Sequence, residues 1–350
     1  MGRARAEMIR AEMIRVGLIG LGGIGRIHFD CWRKCPDAQL VAISARDPKK
    51  LAGEWGGQDF NLGQQTAQQV DLEGIAKYAR YEDLLAGAKV DAVDICLPTP
   101  LHGSVAIAAL RAGKHVLCEK PMSLSLSECR AMESAAAESG RHLMVAHCLR
   151  YWPHYRTAWE VMESGEYGRA VYANFQRTSG APVWSGSGWF MRGEESGGVL
   201  DMHIHDVDVA LWWFGRPAEI TAAGRVHEGL PLTVDAHWRY DGGPLVHLHS
   251  AWDLNGGAFR HSFQLVLEKA TLTHDLAIEG GALRLTTAGG TTTIELPEAA
   301  VHQAEIDDFA ARISRGEPVP YITPAESRAA VEIGLEELRQ ILGTARPPFQ

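Results

Sequence analysis

The sequence predicts an α/β domain built on a doubly wound parallel sheet, followed by an α+β domain with a large, mostly antiparallel open sheet. Up to residue 147, short apolar runs alternate with helical patterns, which is typical of a parallel sheet covered by helices. From residue 148, several runs alternate with period two, which favours antiparallel strands. A chain of 350 residues also exceeds the usual size of one core. Two domains are therefore expected, over residues 13–147 and 148–350.

The first predicted strand leads into a glycine-rich turn. The apolar run 14–19 is followed by Gly20-Leu21-Gly22-Gly23-Ile24-Gly25, by a helical pattern to about Lys34, and by a second apolar run at 39–44. In such a βαβ unit the glycines allow a tight turn and a close approach of the backbone to a pyrophosphate, whose charge the helix N-terminus stabilises. We predict a dinucleotide site that includes Gly20, Gly22, Gly23, Ile24 and Gly25.

The residues after the second strand bear on the choice between NAD and NADP. An acidic residue that binds the ribose hydroxyls is expected near Ala45, but the sequence there is Ser44-Ala45-Arg46-Asp47. A small residue followed by Arg46 leaves room for a 2′-phosphate and supplies a guanidinium, with Lys49 and Lys50 nearby. This favours NADP slightly. In the alternative, Arg46 is a solvated loop residue and Asp47 reaches the ribose.

The alternation continues through the first domain. Ser125 and Glu128 form a capping box, which predicts a helix that ends at Gly140. The other predicted elements are strands at 92–97, 115–119 and 143–148 and a helix at 103–112.

The second domain is predicted to contain strands gathered around a few helices. The strands are expected at 170–177, 219–225, 234–240, 245–252 and 262–267, and the helices at 155–164, 302–315 and 324–342. The open sheet is a candidate surface for a homodimer or homotetramer.

Charge and composition bear on the possible partners of the protein and on its cellular location. The formal net charge is −9, from 34 basic and 43 acidic residues, and the sequence has no long basic run, so a nucleic acid is not an expected partner. No stretch reaches the roughly 18–20 apolar residues of a membrane helix. The six cysteines lack metal or redox spacings, which fits a reduced compartment. The basic start of the chain has no separate apolar region typical of a signal peptide. A cytoplasmic protein is expected.

Glu119-Lys120-Pro121 is the first candidate for chemistry. It lies at the carboxyl end of a predicted parallel strand, where ligands bind in open α/β sheets. The proline restricts the backbone of Lys120, which we expect to point into the cleft. The alternative is an ordinary surface lysine.

The second candidate is the segment 197–206. If a helix starts here, Asp201 and His205 share one face, and the carboxylate can orient or stabilise the imidazole. A positioned histidine is a suitable proton acceptor when a hydroxyl is oxidised by hydride loss. In the alternative, this is a buried helix whose histidines make their hydrogen bonds within the core.

His203, Asp206 and Asp208 raise the possibility of a metal site. Helical spacing turns His203 about 200° away from both Asp201 and His205, so these side chains are not expected to converge. The sequence therefore predicts no metal.

Together, the glycine turn, Glu119-Lys120-Pro121 and the Asp201 to His205 segment resemble the glucose-fructose oxidoreductase and inositol dehydrogenase family, known as Gfo/Idh/MocA. The similarity runs through the chain in order. Pro98-Thr99-Pro100-Leu101-His102 and Tyr81-Glu82-Asp83-Leu84-Leu85 also resemble segments of that family. Two departures are His203, where many members have glycine, and the absence of the acid at Ala45.

The resemblance implies a Rossmann dinucleotide-binding domain and an oxidoreductase that acts on sugars, polyols or their derivatives. It implies that Lys120 polarises the reacting oxygen, that His205 is the general acid/base, and that Asp201 contacts substrate or fixes His205. It places Pro98, His102 and Glu119 with Lys120 at the cofactor. Candidate substrate contacts are Arg150, Tyr151, Trp152, Tyr155, Arg177, Trp184 and Trp189; the two last tryptophans are equally typical of a core.

Two other functions remain open. The same scaffold can serve as a dinucleotide-binding regulator without turnover, although such a protein need not keep both Lys120 and His205. It can also serve as a glycosidase that oxidises its substrate transiently with tightly held NAD. That enzyme would release sugar with no net change in cofactor.

Overall fold

A computed structural model describes residues 13–60, 63–182, 191–192, 197–255, 258–298, 300–317 and 320–343. Trp184 and Trp189, named above as candidate substrate contacts, lie outside these ranges. No helix in these ranges is long and apolar enough to cross a membrane.

The first half of the chain forms a six-stranded parallel sheet. The strands of this half are β1 (Ile14–Ile19), β2 (Ala38–Ser44), β3 (Glu54–Trp55), β4 (Gln58–Phe60), β5 (Gly63–Gln65), β6 (Gln68–Gln69), β7 (Ala76–Tyr78), β8 (Ala92–Ile95), β9 (His115–Glu119) and β10 (Leu143–Ala146). The order of the six-stranded sheet is β7-β2-β1-β8-β9-β10, so the chain moves outward from β1 in one direction and then, from β8, in the other. The short strands β3 to β6 pair with one another outside this sheet. Their helices are α1 (Gly23–Trp32), α2 (Pro48–Leu51), α3 (Tyr81–Gly87), α4 (His102–Arg111) and α5 (Leu126–Ser139).

This strand order places a ligand-binding crevice at the carboxyl ends of β1 and β8. Adjacent loops leave these two strands toward opposite faces of the sheet, which opens a cleft between them. The Cys96 amide donates to the Ile19 carbonyl at 2.8 Å, so the two strand ends are held side by side.

The second half forms an eight-stranded sheet and a small hairpin. The strands are β11 (Ala170–Thr178), β12 (Glu219–Ala223), β13 (Val226–His227), β14 (Leu230–Pro231), β15 (Thr233–Arg239), β16 (Leu245–Ala251), β17 (Arg260–Leu267), β18 (Ala270–Asp275), β19 (Leu283–Thr287) and β20 (Gly290–Ile294). The order of the large sheet is β12-β15-β16-β11-β17-β18-β19-β20, in which only β11 and β16 are parallel neighbours, and β13 pairs with β14 in the hairpin. The helices are α6 (Pro153–Glu163), α7 (Leu200–Phe214), α8 (Val301–Ser314) and α9 (Pro324–Leu342).

The fold class is confirmed: a doubly wound parallel sheet precedes a mostly antiparallel one. The C-terminal helices return to the first half, where α8 packs on α1 and α9 packs on both α5 and α7. Helix α7 is buried on nearly every side, because the sheet lies on one side of it and α9 on another.

Several details differ from the sequence expectation. Helix α1 ends at Trp32 rather than near Lys34. The Ser125 hydroxyl accepts from the Glu128 amide, but the Glu128 carboxylate accepts from the Ser123 hydroxyl, so the capping box is not reciprocal. The strands of the 54–69 excursion and β18 to β20 were not predicted. Threonines alternate with few buried residues in β19 and β20, so their apolar pattern is weak.

Candidate active site

The glycine turn leaves space for a ligand close to the protein backbone. Gly20 has φ 100°, and a Cβ there would lie 2.3 Å from the Cys96 carbonyl oxygen. A Cβ on Gly25 would lie 2.2 Å from the Gly20 carbonyl oxygen, so both glycines are needed for the turn to pack on the strands. At Gly22, in contrast, a Cβ would meet no heavy atom within 4 Å. An open face at the N-terminus of the ten-residue α1 fits a pyrophosphate.

Lys50 supports this turn from the next helix. Its ammonium donates to the Leu21 carbonyl at 2.7 Å, so it is not the free phosphate ligand that its position in the sequence suggested. Asp47 caps α2, because its carboxylate accepts a hydrogen bond from the Lys49 amide at 3.0 Å. Arg46 is exposed, beside the half-buried Ala45.

Lys120 and Asp201 come together where β9 ends. The Lys120 ammonium lies 2.8 Å from the Asp201 carbonyl oxygen and 3.2 Å from its Oδ1. Both side chains are mostly buried, at 15% and 13% exposed. Burial raises the pKa of Asp201, while the Lys120 ammonium opposes that rise. The pair joins the parallel sheet to the first turn of α7.

The expected contact between Asp201 and His205 is not found among the described residues. Asp201 turns to Lys120, and the Nδ1 atom of His205 is buried without a hydrogen-bond partner. Burial, followed by the charge of Lys120, holds the pKa of His205 well below 6.5. The imidazole is therefore neutral at pH 7 and able to accept a proton.

A buried network that the sequence analysis missed fixes Glu119. His28, on α1, places Nε2 3.2 Å from the Glu119 carboxylate and Nδ1 2.8 Å from that of Asp94. Trp32 donates to the same Asp94 oxygen at 2.6 Å. Burial alone would lower the pKa of His28, but Cys96 and Asp94 raise it well above 6.5. Burial likewise opposes ionisation of Glu119, yet the adjacent His28 lowers its pKa to about 2.

These contacts make His28 a cation between two carboxylates. The Lys120 amide donates to the other Glu119 oxygen at 3.1 Å, so the network reaches the lysine through its backbone. The sequence signal was a histidine three residues after Gly25, on the inner face of a predicted helix.

His102 does not line the cleft as expected. It is 1% exposed, and its ring nitrogens each lie 2.8 Å from a carbonyl oxygen, of Pro121 and of Leu97. The ring is therefore enclosed between the loop that follows Lys120 and the turn that begins at Pro98, and its single N–H can donate to one of these two carbonyl oxygens.

Arg150 is buried beside Asp208. It is 2% exposed and donates twice to the Asp208 carboxylate, at 2.9 and 2.8 Å, and once to Glu326 at 2.7 Å. A buried carboxylate needs such a counter-charge, and this requirement decides the position of the guanidinium. The structure thus places Arg150 in a buried ion pair, and its contact with substrate stays an untested prediction.

Tyr155 is also placed in the core rather than in the cleft. It is fully buried, with its hydroxyl 3.3 Å from His261 Nδ1 and 3.4 Å from Arg177. Arg177 in turn makes two contacts with the Asp206 carboxylate, at 2.9 and 2.8 Å.

The three α7 side chains that raised the possibility of a metal site diverge. Asp206 faces Arg177 and Asp208 faces Arg150. His203 is fully buried between the Ser250 hydroxyl and the Glu337 carboxylate, each 2.9 Å away.

Two further buried polar groups lie near this site. Both ring nitrogens of His147 and both carboxyl oxygens of Glu305 are without hydrogen-bond partners among the described residues. Burial raises the pKa of Glu305 well above 4.5, which favours its neutral form. Ordered water usually satisfies such groups. No sequence pattern indicated these two groups, because burial is a property of the packed chain.

Two family models match the chain. Residues 14–147 match the model described as "Oxidoreductase family, NAD-binding Rossmann fold", and residues 155–273 match "GFO/IDH/MocA C-terminal domain".

Curated relatives match over part of their length. The 1,5-anhydro-D-fructose reductase of Ensifer adhaerens is 34% identical over 178 residues, which are 49% of this chain and 53% of the relative. The scyllo-inositol 2-dehydrogenase (NAD(+)) of Bacillus subtilis strain 168 is 34% identical over 208 residues, 57% of this chain and 54% of the relative. The chain thus spans about half the length of each of these relatives.

Solved structures match over nearly the whole chain. Levoglucosan dehydrogenase in complex with NADH and levoglucosan superposes with a TM-score of 0.80 at 20% identity, covering 93% of this chain and 96% of the other. UDP-N-acetylglucosamine 3-dehydrogenase from Acidithiobacillus ferrooxidans gives a TM-score of 0.75 at 23% identity, covering 94% and 98%. These likenesses show the fold.

Proposed function

Because the chain belongs to the Gfo/Idh/MocA oxidoreductase family, we propose that it is an NAD(P)-dependent dehydrogenase or reductase. Its substrate is a sugar, polyol or sugar derivative, and the hydride moves to or from a carbon that bears a hydroxyl or carbonyl group. The relatives named as a fructose derivative reductase and an inositol dehydrogenase support this substrate class.

One observation carries the proposal. The Lys120 ammonium meets Asp201 where β9 ends, and His205, with an unpartnered ring nitrogen, lies one helical turn beyond Asp201 on α7. The charge of Lys120 contributes to the lowered pKa of His205, which supports their proximity. A non-catalytic regulator has no need of this pair.

The two side chains divide the work at the reacting oxygen. Lys120 donates a hydrogen bond to that oxygen and stabilises the negative charge that develops on it. During alcohol oxidation the neutral His205 accepts the hydroxyl proton, and it returns a proton in the reverse direction. Asp201 is a positioning residue that holds the ammonium, and the Asp94-His28-Glu119 network holds the backbone from which Lys120 extends. A bound nicotinamide supplies the hydride acceptor or donor.

We propose NADP as the slightly preferred cofactor. Asp47 caps α2 through Oδ1, and no acidic residue stands at position 45 itself. The exposed Arg46 is the candidate ligand for a 2′-phosphate, with Lys49 as a further charge.

Association through the outer face of the eight-stranded sheet, as a homodimer or homotetramer, completes the proposal. The exposed apolar side chain of Leu245, at 59%, supports it, because it lies on β16, an interior strand of the sheet. Light scattering in solution would give the oligomer number.

The test is a comparison of Lys120→Ala and His205→Ala with wild type. Calorimetric titration of NAD(H) and NADP(H) comes first, followed by a panel of sugars and polyols with absorbance of the reduced nicotinamide. Each substitution should lower kcat by about 100-fold or more and leave dinucleotide affinity nearly unchanged. Normal turnover by the double variant would refute the assigned roles.

Other results separate the competing functions. Sugar release with no net change in cofactor would identify the NAD-dependent glycosidase. Dinucleotide binding without turnover of any panel member would favour the regulator.

A further inference from the structure

A cluster of histidines lies on the face of the eight-stranded sheet that points away from α7. The strands β15 and β16 are antiparallel, and their register places Asp235 opposite His249 and His237 opposite His247. These two pairs are neighbours on one face, because each strand contributes residues two apart. The intervening residues, such as Val246 and Leu248, are buried on the other face. Three imidazoles and one carboxylate therefore share a single patch.

The ring nitrogens converge on the carboxylate. The Nε2 atoms of His237 and His247 each lie 3.2 Å from Asp235 Oδ1, and His249 Nδ1 lies 3.1 Å from Oδ2. The rings of His237 and His247 are stacked, with centroids 4.6 Å apart and planes inclined by 12°. Potential ligand atoms of Asp235, His237 and His247 all lie within 4.8 Å of one another.

These separations suit a small metal ion. In a tetrahedral zinc site with bonds of about 2.0–2.1 Å, neighbouring ligand atoms are roughly 3.3–3.4 Å apart. The two nitrogen-oxygen distances of 3.2 Å are close to that value before any side chain moves. His237 is 64% exposed and can rotate to complete the geometry.

We propose that this patch is a binding site for a divalent transition-metal ion of the zinc type, with Asp235, His237 and His247 as direct ligands. His249 donates to the second carboxylate oxygen and so orients Asp235, as outer-shell groups do in metal sites. Solvent or a fourth donor completes the coordination.

The donor types of the patch support ligation, because imidazole nitrogens and a carboxylate are ordinary ligands of zinc. Nitrogen and carboxylate donors together suit Zn²⁺, Co²⁺ and Ni²⁺ better than the hard ions Mg²⁺ and Ca²⁺.

The site is separate from the proposed catalytic residues, although it lies on the sheet face proposed above for association between chains. The inner face of the sheet packs on α7, which carries Asp201 and His205, whereas this cluster lies on the outer face. A metal here therefore does not contact the reacting atoms. Its failure to bind would leave the dehydrogenase proposal unaffected.

The test is calorimetric titration of Zn²⁺ into chelator-treated, untagged protein without dinucleotide. One Zn²⁺ per chain is expected. His237→Ala and His247→Ala should each weaken the affinity by about 100-fold or more, since loss of an outer-shell group alone costs about 10- to 100-fold. His249→Gln should fall within that smaller range. The control is His227→Ala, which removes an exposed histidine outside the cluster.

Co²⁺ provides a second readout, which reports the ligands of the bound ion. Its visible absorption bands report coordination by nitrogen and oxygen, and they should appear in wild type and in His227→Ala but not in the His237→Ala/His247→Ala double variant. Melting temperatures of all variants establish that each is folded. The proposal is overturned if wild type binds no Zn²⁺, or if the double variant binds it as tightly as wild type does.

Discussion

Replacing Arg150 by methionine should destabilise the protein without affecting substrate binding. The guanidinium and Asp208 are 2% and 1% exposed, and two hydrogen bonds join them. The substitution leaves a buried carboxylate without a counter-charge, which costs about 3–5 kcal/mol. The contact with Glu326 adds little, because that side chain is 42% exposed.

The expected fall in melting temperature follows from chain length. An unfolding entropy of about 2.1 cal/mol/K per residue gives roughly 0.7 kcal/mol/K for 350 residues, so Tm should fall by about 4–7 °C. Differential scanning calorimetry measures this fall. Arg156→Met is the matched control, because that arginine is 54% exposed and pairs with Glu160 at the surface; it should change stability by less than about 0.5 kcal/mol.

A double variant tests the cause of this effect. Arg150→Met/Asp208→Leu removes both charges and should recover most of the lost stability, since apolar replacement of a buried pair is often neutral. KM for any sugar or polyol that is turned over should stay near the wild-type value. A Tm within about 1 °C of wild type, together with a KM raised about tenfold or more, would show that Arg150 binds substrate and that the reasoning is wrong.

Three further predictions concern the cofactor and the titrating groups. The kcat/KM for alcohol oxidation should not fall as pH is lowered from about 8 to about 6, because burial and Lys120 keep the pKa of His205 well below 6.5; an acid limb near 6.5 would contradict this. Arg46→Ala should lower kcat/KM for NADP by roughly 10- to 100-fold, because it removes a hydrogen bond to a charged group, while kcat/KM for NAD should change little. Equal losses for the two cofactors would contradict the 2′-phosphate role. Glu119, with a pKa of about 2, stabilises the fold above its unfolded pKa near 4.5, and this contribution is lost as pH falls through 2. The Tm difference between wild type and His28→Asn should therefore be larger at about pH 5.5 than at about pH 3, and the same difference at both would argue against the ion pair.

The elements of the first half could be predicted from sequence because their signals are local. The strand β9 was predicted with its observed bounds, and the glycine turn was placed by the change from an apolar run to a helical pattern. In the second sheet, β11 and β15 to β17 alternate strongly and were predicted to within about two residues. The strands β19 and β20 are mostly exposed, and their sequence pattern is correspondingly weak.

The contacts of the candidate site were harder to predict from the sequence. Lys120 and Asp201 were singled out separately, yet their contact joins residues 81 positions apart, and the sequence instead suggested that Asp201 faces His205. Arg150 and Tyr155 have the side chains of a sugar site, but both are buried in the structure. The positions of residues 184 and 189 lie outside the described ranges.

The sequence by itself determined the order of strands and helices, the glycine turn and the candidates Lys120 and His205, because periodicity, turn residues and short motifs act over a few neighbouring positions. Only the tertiary structure decided which charges are paired. The ion pairs of Arg150 and Arg177, the His28 network and the histidine patch on β15 and β16 each depend on segments distant in the chain. A buried charge requires a partner, and packing alone determines which partner is within reach.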